Sequence, residues 1–296
     1  MLRRIFHPLA RSLARKVAWR FPGLYLRLTI KLRLERSDYF KLSQQCRTYE
    51  PGSLIEHPLN TAVEYPRRHI LYAIHWYELS GAELFALYCM RTAKELGHVC
   101  HCVSTVPSEN PEKETFSRHC VEALDTNDFS PGSSFLQFIS DYIAENSIDV
   151  IHIHHSVLLY DALPELRKRF PGLHVVDTTH IIEYPNGGFP QISARCSPNI
   201  DVHNVASQGL MRAQQEMYRR AFGKELGTRK FHLTYTSSLT AAHKHRQRVD
   251  SESPKVIAFY GRFAAQKQPW VFVATIERLV EQNPNLNVEA HFYGTG

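Results

Sequence analysis

From residue 69 onward, short apolar runs alternate with segments of helical periodicity, and this alternation restricts the fold more than any other feature of the chain. Residues 69–75 (HILYAIH) form an apolar run suited to a strand covered on both faces. Residues 76–80 read as a loop. Residues 81–96 place Leu84, Leu87, Tyr88, Met90 and Arg91 at helical spacing, and Gly97 supplies the glycine that ends many helices. Residues 99–103 predict a strand, 133–146 a helix, and 149–154 (DVIHIH) a strand. Residues 163–170 predict a helix stopped by Pro171-Gly172, followed by a strand over 173–179. Residues 189–202 read as a loop, 208–222 as a helix and 231–237 as a strand. Strand, helix and strand at this spacing predict an α/β fold with a parallel sheet covered by helices.

A second α/β unit follows residues 251–254. Residues 256–260 (VIAFY) predict a strand, 261–268 a loop, 269–282 a helix with Pro269 at its start, and 287–293 a strand. Two strands and one helix cannot close a core, so the sequence is expected to be incomplete at this end.

With 296 residues, 43% apolar and 22% charged, the chain can bury a sizeable core, which excludes whole-chain disorder. At roughly 100–200 residues per domain it should hold about two domains. The expected division is 1–67 as a basic arm and linker, 68–250 as a first Rossmann-like domain, and 251–296 as the start of a second. The net charge of +6 is unevenly spread. Residues 1–36 carry ten Lys and Arg against the single acid Glu35, and the remainder of the chain is slightly acidic. Nucleic acid is therefore not an expected partner. In the arm, Leu9, Leu13, Val17 and Phe21 recur every four residues between basic side chains, the pattern of a basic amphipathic helix. Residues 24–34 alternate with period two, which says strand, while their composition favours helix, and both readings stand. A membrane-surface arm attracted to anionic lipid and an arm packed on the body or on a partner are both consistent with it. Its Arg-rich, acid-poor character would also suit a mitochondrial-type transit peptide; it lacks the apolar core and cleavage site of a secretory signal. No apolar run reaches 18 residues, which argues against a membrane-spanning helix. Six cysteines are too sparse for a disulfide framework and fit a reducing compartment, with a cytoplasmic location, peripheral on the membrane where the arm attaches.

Three segments carry candidate chemistry. Ser80-Gly81-Ala82-Glu83 lies between the first strand and its helix, where backbone N–H groups can approach an anion, or where Ser80 simply caps the helix. Gly261-Arg262-Phe263-Ala264-Ala265-Gln266-Lys267 links a strand to a helix, with an Arg fork and a Lys point charge suited to a diphosphate or merely solvated. His180 ends a strand, where a histidine can hydrogen-bond a sugar hydroxyl, polarise a reacting group, or simply be structural. The stretch Asn186-Gly187-Gly188-Phe189-Pro190 suits a turn or a mobile cover. His152 and His154 share one strand face while His155 points away, so a metal held by all three is not expected. Cys100-His101-Cys102 lacks a second cysteine pair, so no closed zinc site is expected there. Neither GxxxxGK[ST] nor a GxGxxG after the first strand occurs, which counts against a kinase or a dinucleotide oxidoreductase.

In this order the segments resemble a family-4 (group 1) retaining glycosyltransferase of the GT-B fold. The similarity covers residues 68–296 and rests on several loose motifs. They are the turn at Ser80–Glu83, the strand IDVIHIHH at 148–155, the strand ending at His180, the Val205-Ala206-Ser207 step, the Gly-Arg-x4-Lys loop, and the turn at Gly294–Gly296. The resemblance implies transfer of a sugar from a nucleotide-sugar donor to a glycan or lipid-linked acceptor in cell-surface polysaccharide synthesis, with retention of configuration. It implies neither a metal nor a cofactor beyond the co-substrate. His180 would contact the donor sugar, Arg262 and Lys267 would hold the diphosphate, and Ser80, Gly81, Glu83, Gly261, Gly294 and Gly296 would shape the donor and acceptor sites. Ser80 departs from the family's first glycine. The family's later pair of glutamates, seven residues apart, has no counterpart before the sequence stops, so this polypeptide alone is expected to be inactive. Two other readings stay open: a non-catalytic Rossmann-like binding module, and a membrane or nucleic-acid adaptor working through the arm.

Overall fold

The computed structural model describes residues 66–129, 134–183, 187–234, 254–264 and 267–294. The basic arm, nearly all of the linker, residues 235–250, Asn186, Ala265, Gln266, Thr295 and Gly296 lie outside the described residues. The rest falls into two compact units, one holding residues 66–234 and the other 254–294.

The first unit runs β1 (His69–Ile74), α1 (Gly81–Glu95), β2 (Val99–Ser104), α2 (Lys113–Ser117), β3 (Ala123–Leu124), α3 (Phe135–Glu145), β4 (Val150–His154), α4 (Val157–Arg169), β5 (His174–Thr179), α5 (Phe189–Cys196), β6 (Val202–Val205), α6 (Gln208–Phe222) and β7 (Phe231–Leu233). Its seven strands form one sheet in the order β3-β2-β1-β4-β5-β6-β7. Every pairing is parallel, for example Ile70 with Val150 and Thr179 with Val205. This is the Rossmann-like α/β class, with strand order reversing direction between β1 and β4.

The two sheet faces bury different chemistry. On one, Leu71, Ala73, Ile151, Ile153 and Val175 pack against Ile139, Ile143, Leu159, Leu163 and Leu166 of α3 and α4. On the other, Tyr72, Ile74, Cys100 and Cys102 meet Ala86, Leu87 and Met90 of α1 and Phe116 of α2. Strand starts are pinned by a repeated device. Ile-Asp-Val occurs at 148–150 and again at 200–202, each time opening a strand. Asp149 accepts from the His69 N–H at 2.9 Å, and Asp201 accepts from the Val175 N–H at 2.8 Å. Each carboxylate thus ties the start of its strand to a sheet neighbour, β4 to the distant β1 and β6 to the preceding β5.

Two expectations need correction. Residues 189–202 are not a loop: they hold α5, a short 3-10 turn at Ser197–Asn199, and the start of β6. Gly188, at φ +62°, swings the chain into the helix, and a Cβ there would lie 2.7 Å from the Glu183 Cβ. Pro190 then sits in the first turn, where its missing N–H costs nothing. Helix α4 also begins six residues before the expected start at 163. The Ser156 hydroxyl caps it by accepting from the Leu159 N–H at 3.2 Å. Pro164 is carried inside the helix. It cannot donate to the Tyr160 carbonyl one turn back, and the Cys196 thiol reaches that carbonyl at 3.8 Å instead.

One polar cluster crosses the core. Asp177 and His203 are fully buried, with the ring Nδ1 of His203 2.8 Å from Asp177 Oδ1. Ser197 Oγ lies 2.8 Å from the other ring nitrogen, and Tyr160 donates to Asp177 at 2.9 Å. Burial alone would push the Asp177 carboxyl up. The His203 ring and hydrogen bonds from His203, Ser193 and Tyr160 outweigh that and hold it below the usual carboxylate range. A carboxyl depressed in the folded state stabilises above its unfolded pKa and loses that contribution as pH falls through its folded value. Asp177→Asn should therefore cost about 3–5 kcal/mol in urea unfolding at pH 7, the usual penalty for breaking a buried pair. It should also flatten the loss of stability below about pH 4.

Candidate active site

In open α/β sheets, ligands settle outside the carboxyl ends of the strands at the point where strand order reverses. Here that point lies between β1 and β4, and histidines follow both strands. The His75 ring Nδ1 is 3.2 Å from the His155 carbonyl, bridging the two strand ends. His155 sits in the left-handed region, at φ +60°. The Phe189 ring lies flat on it, with centroids 4.2 Å apart and planes within 3°. His180, following β5, meets the His155 ring edge-on at 5.2 Å and the Phe85 ring at 5.4 Å. Trp76 packs edge-on against His75 at 4.6 Å. Three buried ring nitrogens in this group, Trp76 Nε1, His155 Nε2 and His180 Nε2, have no hydrogen-bond partner among the described residues. Burial pushes His180 down to about 4. His155 falls to about 3, from burial first and then from the neighbouring His180 and His75 rings. Both are neutral imidazoles at neutral pH, able to donate from one nitrogen and accept at the other.

The start of α1 borders this group. Ser80 holds the N-cap position, yet its hydroxyl gives no cap to the helix backbone and bonds the Glu83 carboxylate instead. The expectation of Ser80 as a simple cap is therefore corrected: the side chain is held by Glu83. Glu83 is itself buried, and burial raises its carboxyl pKa against the opposing Ser80 hydrogen bond. A Cβ at Gly81 would meet nothing within 4 Å, so packing does not demand glycine there. Phe85 stands one helical turn beyond Gly81 and carries the contact to His180. Ser80, Gly81, Glu83 and His180 are thus drawn to one edge of one sheet.

The second unit consists of β8 (Lys255–Tyr260), α7 (Pro269–Gln282) and β9 (Val288–Tyr293), with β8 and β9 parallel. No described residue of this unit is buried; Phe259, Phe272 and Phe292 hold it together, with ring centroids 4.9–5.9 Å apart. The loop after β8 and the turn after β9 come together. The Gly261 N–H donates to the Tyr293 carbonyl at 3.0 Å. Gly294 has φ +157°, and a Cβ there would overlap the Gly261 carbonyl. A Cβ at Gly261 would lie 3.8 Å from the stem of Lys267. Arg262 and Lys267 are both exposed on this loop, and Pro269 opens α7 as expected. Gly296 lies outside the described residues.

Sequence reasoning missed His75, Trp76 and Phe85 as parts of the site, and set Phe189 in a loop. Their signal was positional: residues just past the strands on either side of the reversal point. His152 and His154 do share a face, as expected, and Cys89 of α1 joins them, with ligand atoms within 4.8 Å of one another. Cys100 and Cys102 are buried, while His101 between them bonds the Tyr142 hydroxyl at 2.8 Å.

No family model matches the chain, and no curated protein matches it. Among solved structures, it is similar to Anabaena Alr3699/HepE in complex with UDP and glucose, at 14% identity and a TM-score of 0.46, covering 78% of this chain and 70% of that one. It is also similar to Acinetobacter baumannii MurG, at 13% identity and a TM-score of 0.42, covering 77% of this chain and 57% of that one. A third is an alpha-glucosyltransferase in complex with UDP-glucose and DNA containing an abasic site, at 11% identity and a TM-score of 0.45, covering 78% and 68%. At these identities and scores the likeness carries no functional conclusion. Among the described residues, no helix is long and apolar enough to cross a membrane.

The close approach of Gly294 to Gly261 generates a direct test. Gly294→Ala adds a Cβ where a carbonyl already stands, besides about 1–3 kcal/mol of backbone strain. Hydrogen exchange should show lower amide protection across β8 and β9 in this variant.

Proposed function

We propose that this chain belongs to a nucleotide-sugar-dependent glycosyltransferase. The acceptor would lie on the β1–β4–β5 edge of the seven-stranded unit, and the donor diphosphate on the Gly261–Lys267 loop. The observation that carries this is His180: a neutral ring at the reversal edge, with an unpartnered nitrogen, packed on Phe85, which stands one helical turn from the exposed Gly81. Such a ring suits a hydrogen bond to a sugar hydroxyl and is a poor counter-charge for phosphate. The order of motifs supports the same reading, because Arg262 and Lys267 offer positive charge on an exposed loop that opens with Gly261.

The finer reading is a retaining family-4 enzyme of the GT-B fold that uses these cations rather than a metal to stabilise the departing nucleotide. Its acceptor would be a glycan or a lipid-linked sugar in polysaccharide synthesis, with residues 1–36 attaching the protein to anionic membrane. No cofactor is required beyond the co-substrate.

The test uses the protein made from its native gene, titrated with a panel of nucleotide-sugars by calorimetry and then assayed for transfer. Arg262→Ala and Lys267→Ala should each weaken donor binding by about 1.5–3 kcal/mol, the worth of a charged hydrogen bond. His180→Ala should lower kcat/KM about tenfold while leaving the nucleotide's own affinity unchanged. Donor affinity indifferent to both cations would overturn the assignment. Donor binding without transfer to any acceptor would favour a binding module.

A further inference from the structure

On the α1-facing side of the sheet, below the edge just described, three ligating side chains converge. Cys89 comes from the third turn of α1, and His152 and His154 come from β4. Their ligand atoms all lie within 4.8 Å of one another. The two histidine rings are 4.2 Å apart at their centroids.

His154 is the unusual member. It is fully buried, and neither of its ring nitrogens has a hydrogen-bond partner among the described residues. A neutral imidazole has one donor and one acceptor to satisfy, and buried polar groups left without partners are rare. Around it stand Tyr72 at 6.2 Å, Phe85 at 6.1 Å, the His180 ring at 6.3 Å and the two other members of the cluster, none within hydrogen-bonding distance of its nitrogens. His152 is held differently. Its Nε2 lies 2.8 Å from the Thr178 hydroxyl, which also accepts from the Asn204 amide at 3.2 Å. One nitrogen of His152 is thereby held by an outer hydroxyl, as the second nitrogen of a metal-bound imidazole usually is. Cys89 and His152 are half-buried, so the group has a route to solvent.

We propose that Cys89, His152 and His154 form a binding site for a borderline-soft divalent transition metal, Zn²⁺ in particular. One thiolate and two imidazoles are a donor set that zinc favours, at about 2.3 Å to sulfur and 2.0 Å to nitrogen, with water completing a tetrahedron. Burial pushes the Cys89 thiol up to about 12, so the bare group holds its proton. On binding, the S–H bond breaks, a Zn–S bond forms, and one proton passes to solvent. The ion ties α1 to β4 and so fixes the helix that carries Ser80, Gly81 and Glu83. This site is independent of the glycosyl-transfer reading, and its test does not involve activity.

The full chain is treated with chelator and titrated with Co²⁺. The expected result is uptake of one equivalent at micromolar metal, with a thiolate-to-cobalt charge-transfer band in the near ultraviolet that Zn²⁺ abolishes. Cys89→Ser should remove that band and weaken Zn²⁺ binding more than about a hundredfold, and His152→Ala should weaken it comparably. Cys120→Ser should change neither. Because a substitution in this cluster can disturb folding, the wild-type chain supplies a second readout. Saturating Zn²⁺ should protect Cys89, and not Cys120, from alkylation read by peptide mass spectrometry. Failure to take up a stoichiometric metal ion, a band that survives Cys89→Ser, or alkylation of Cys89 unaffected by Zn²⁺ would overturn the proposal.

Discussion

Asp177 carries a carboxylate into the interior of a parallel sheet, and the fold has to satisfy it there. Water cannot do so, and a lone buried charge would be too costly to keep. His203 of the adjacent strand β6 answers at 2.8 Å, with Tyr160 of α4 on the same carboxylate. Gln214 of α6 reaches the His203 ring at 3.0 Å and Thr179 at 3.1 Å. Two strands and two helices are thereby fixed relative to one another immediately before His180. The precision of the edge where His180 stands depends on this cluster, because a strand end held by apolar packing alone could slide or twist.

The same strand, β5, also shows how the two faces divide their work. Asp177 and Thr179 point to the side of α4–α6, while Thr178, one residue over, points to the side of α1 and meets His152. In β4, Ile151 and Ile153 feed the apolar core, while His152 and His154 face α1. Period two makes this division automatic once the sheet is formed. One face is a hydrocarbon core crossed by the buried Asp177–His203 cluster. The other is a band of imidazoles, tyrosine and thiols running up to the strand ends, where it merges with the ring cluster around His155 and His180.

Most elements could be read directly from the sequence, because the apolar runs of β1, β4 and β8 and the helical spacing of α1, α6 and α7 are local patterns. Elements that depend on partners were not. Helix α5 needs Gly188 in a left-handed conformation and a partner for its apolar side, and residues 189–202 therefore looked like a loop. Strand β6 is only four residues long and owes its place to Asp201, which binds a backbone N–H of β5. The start of α4 was hidden by Pro164, whose cost is relieved by a cysteine 32 positions away in the chain. The site was legible in the same uneven way. His180, the Ser80–Glu83 turn and the 186–190 stretch that holds Phe189 announced themselves by position, whereas His75, Phe85 and Cys89 did not.

The sequence by itself determined the α/β class, the parallel sheet, the excess of basic residues in the arm, and the glycines at 261 and 294, because each of these follows from local spacing or composition. Only the tertiary structure decided which residues meet. It placed Ser80 on Glu83 rather than on the helix backbone, stacked Phe189 on His155, and brought Cys89 of α1 beside two histidines some 60 positions later in the chain. The Ser80 contact is local, three residues along one helix start, but the other two arise from strand order, and strand order is set by which face each crossover helix can cover. No pattern within a single segment encodes that choice.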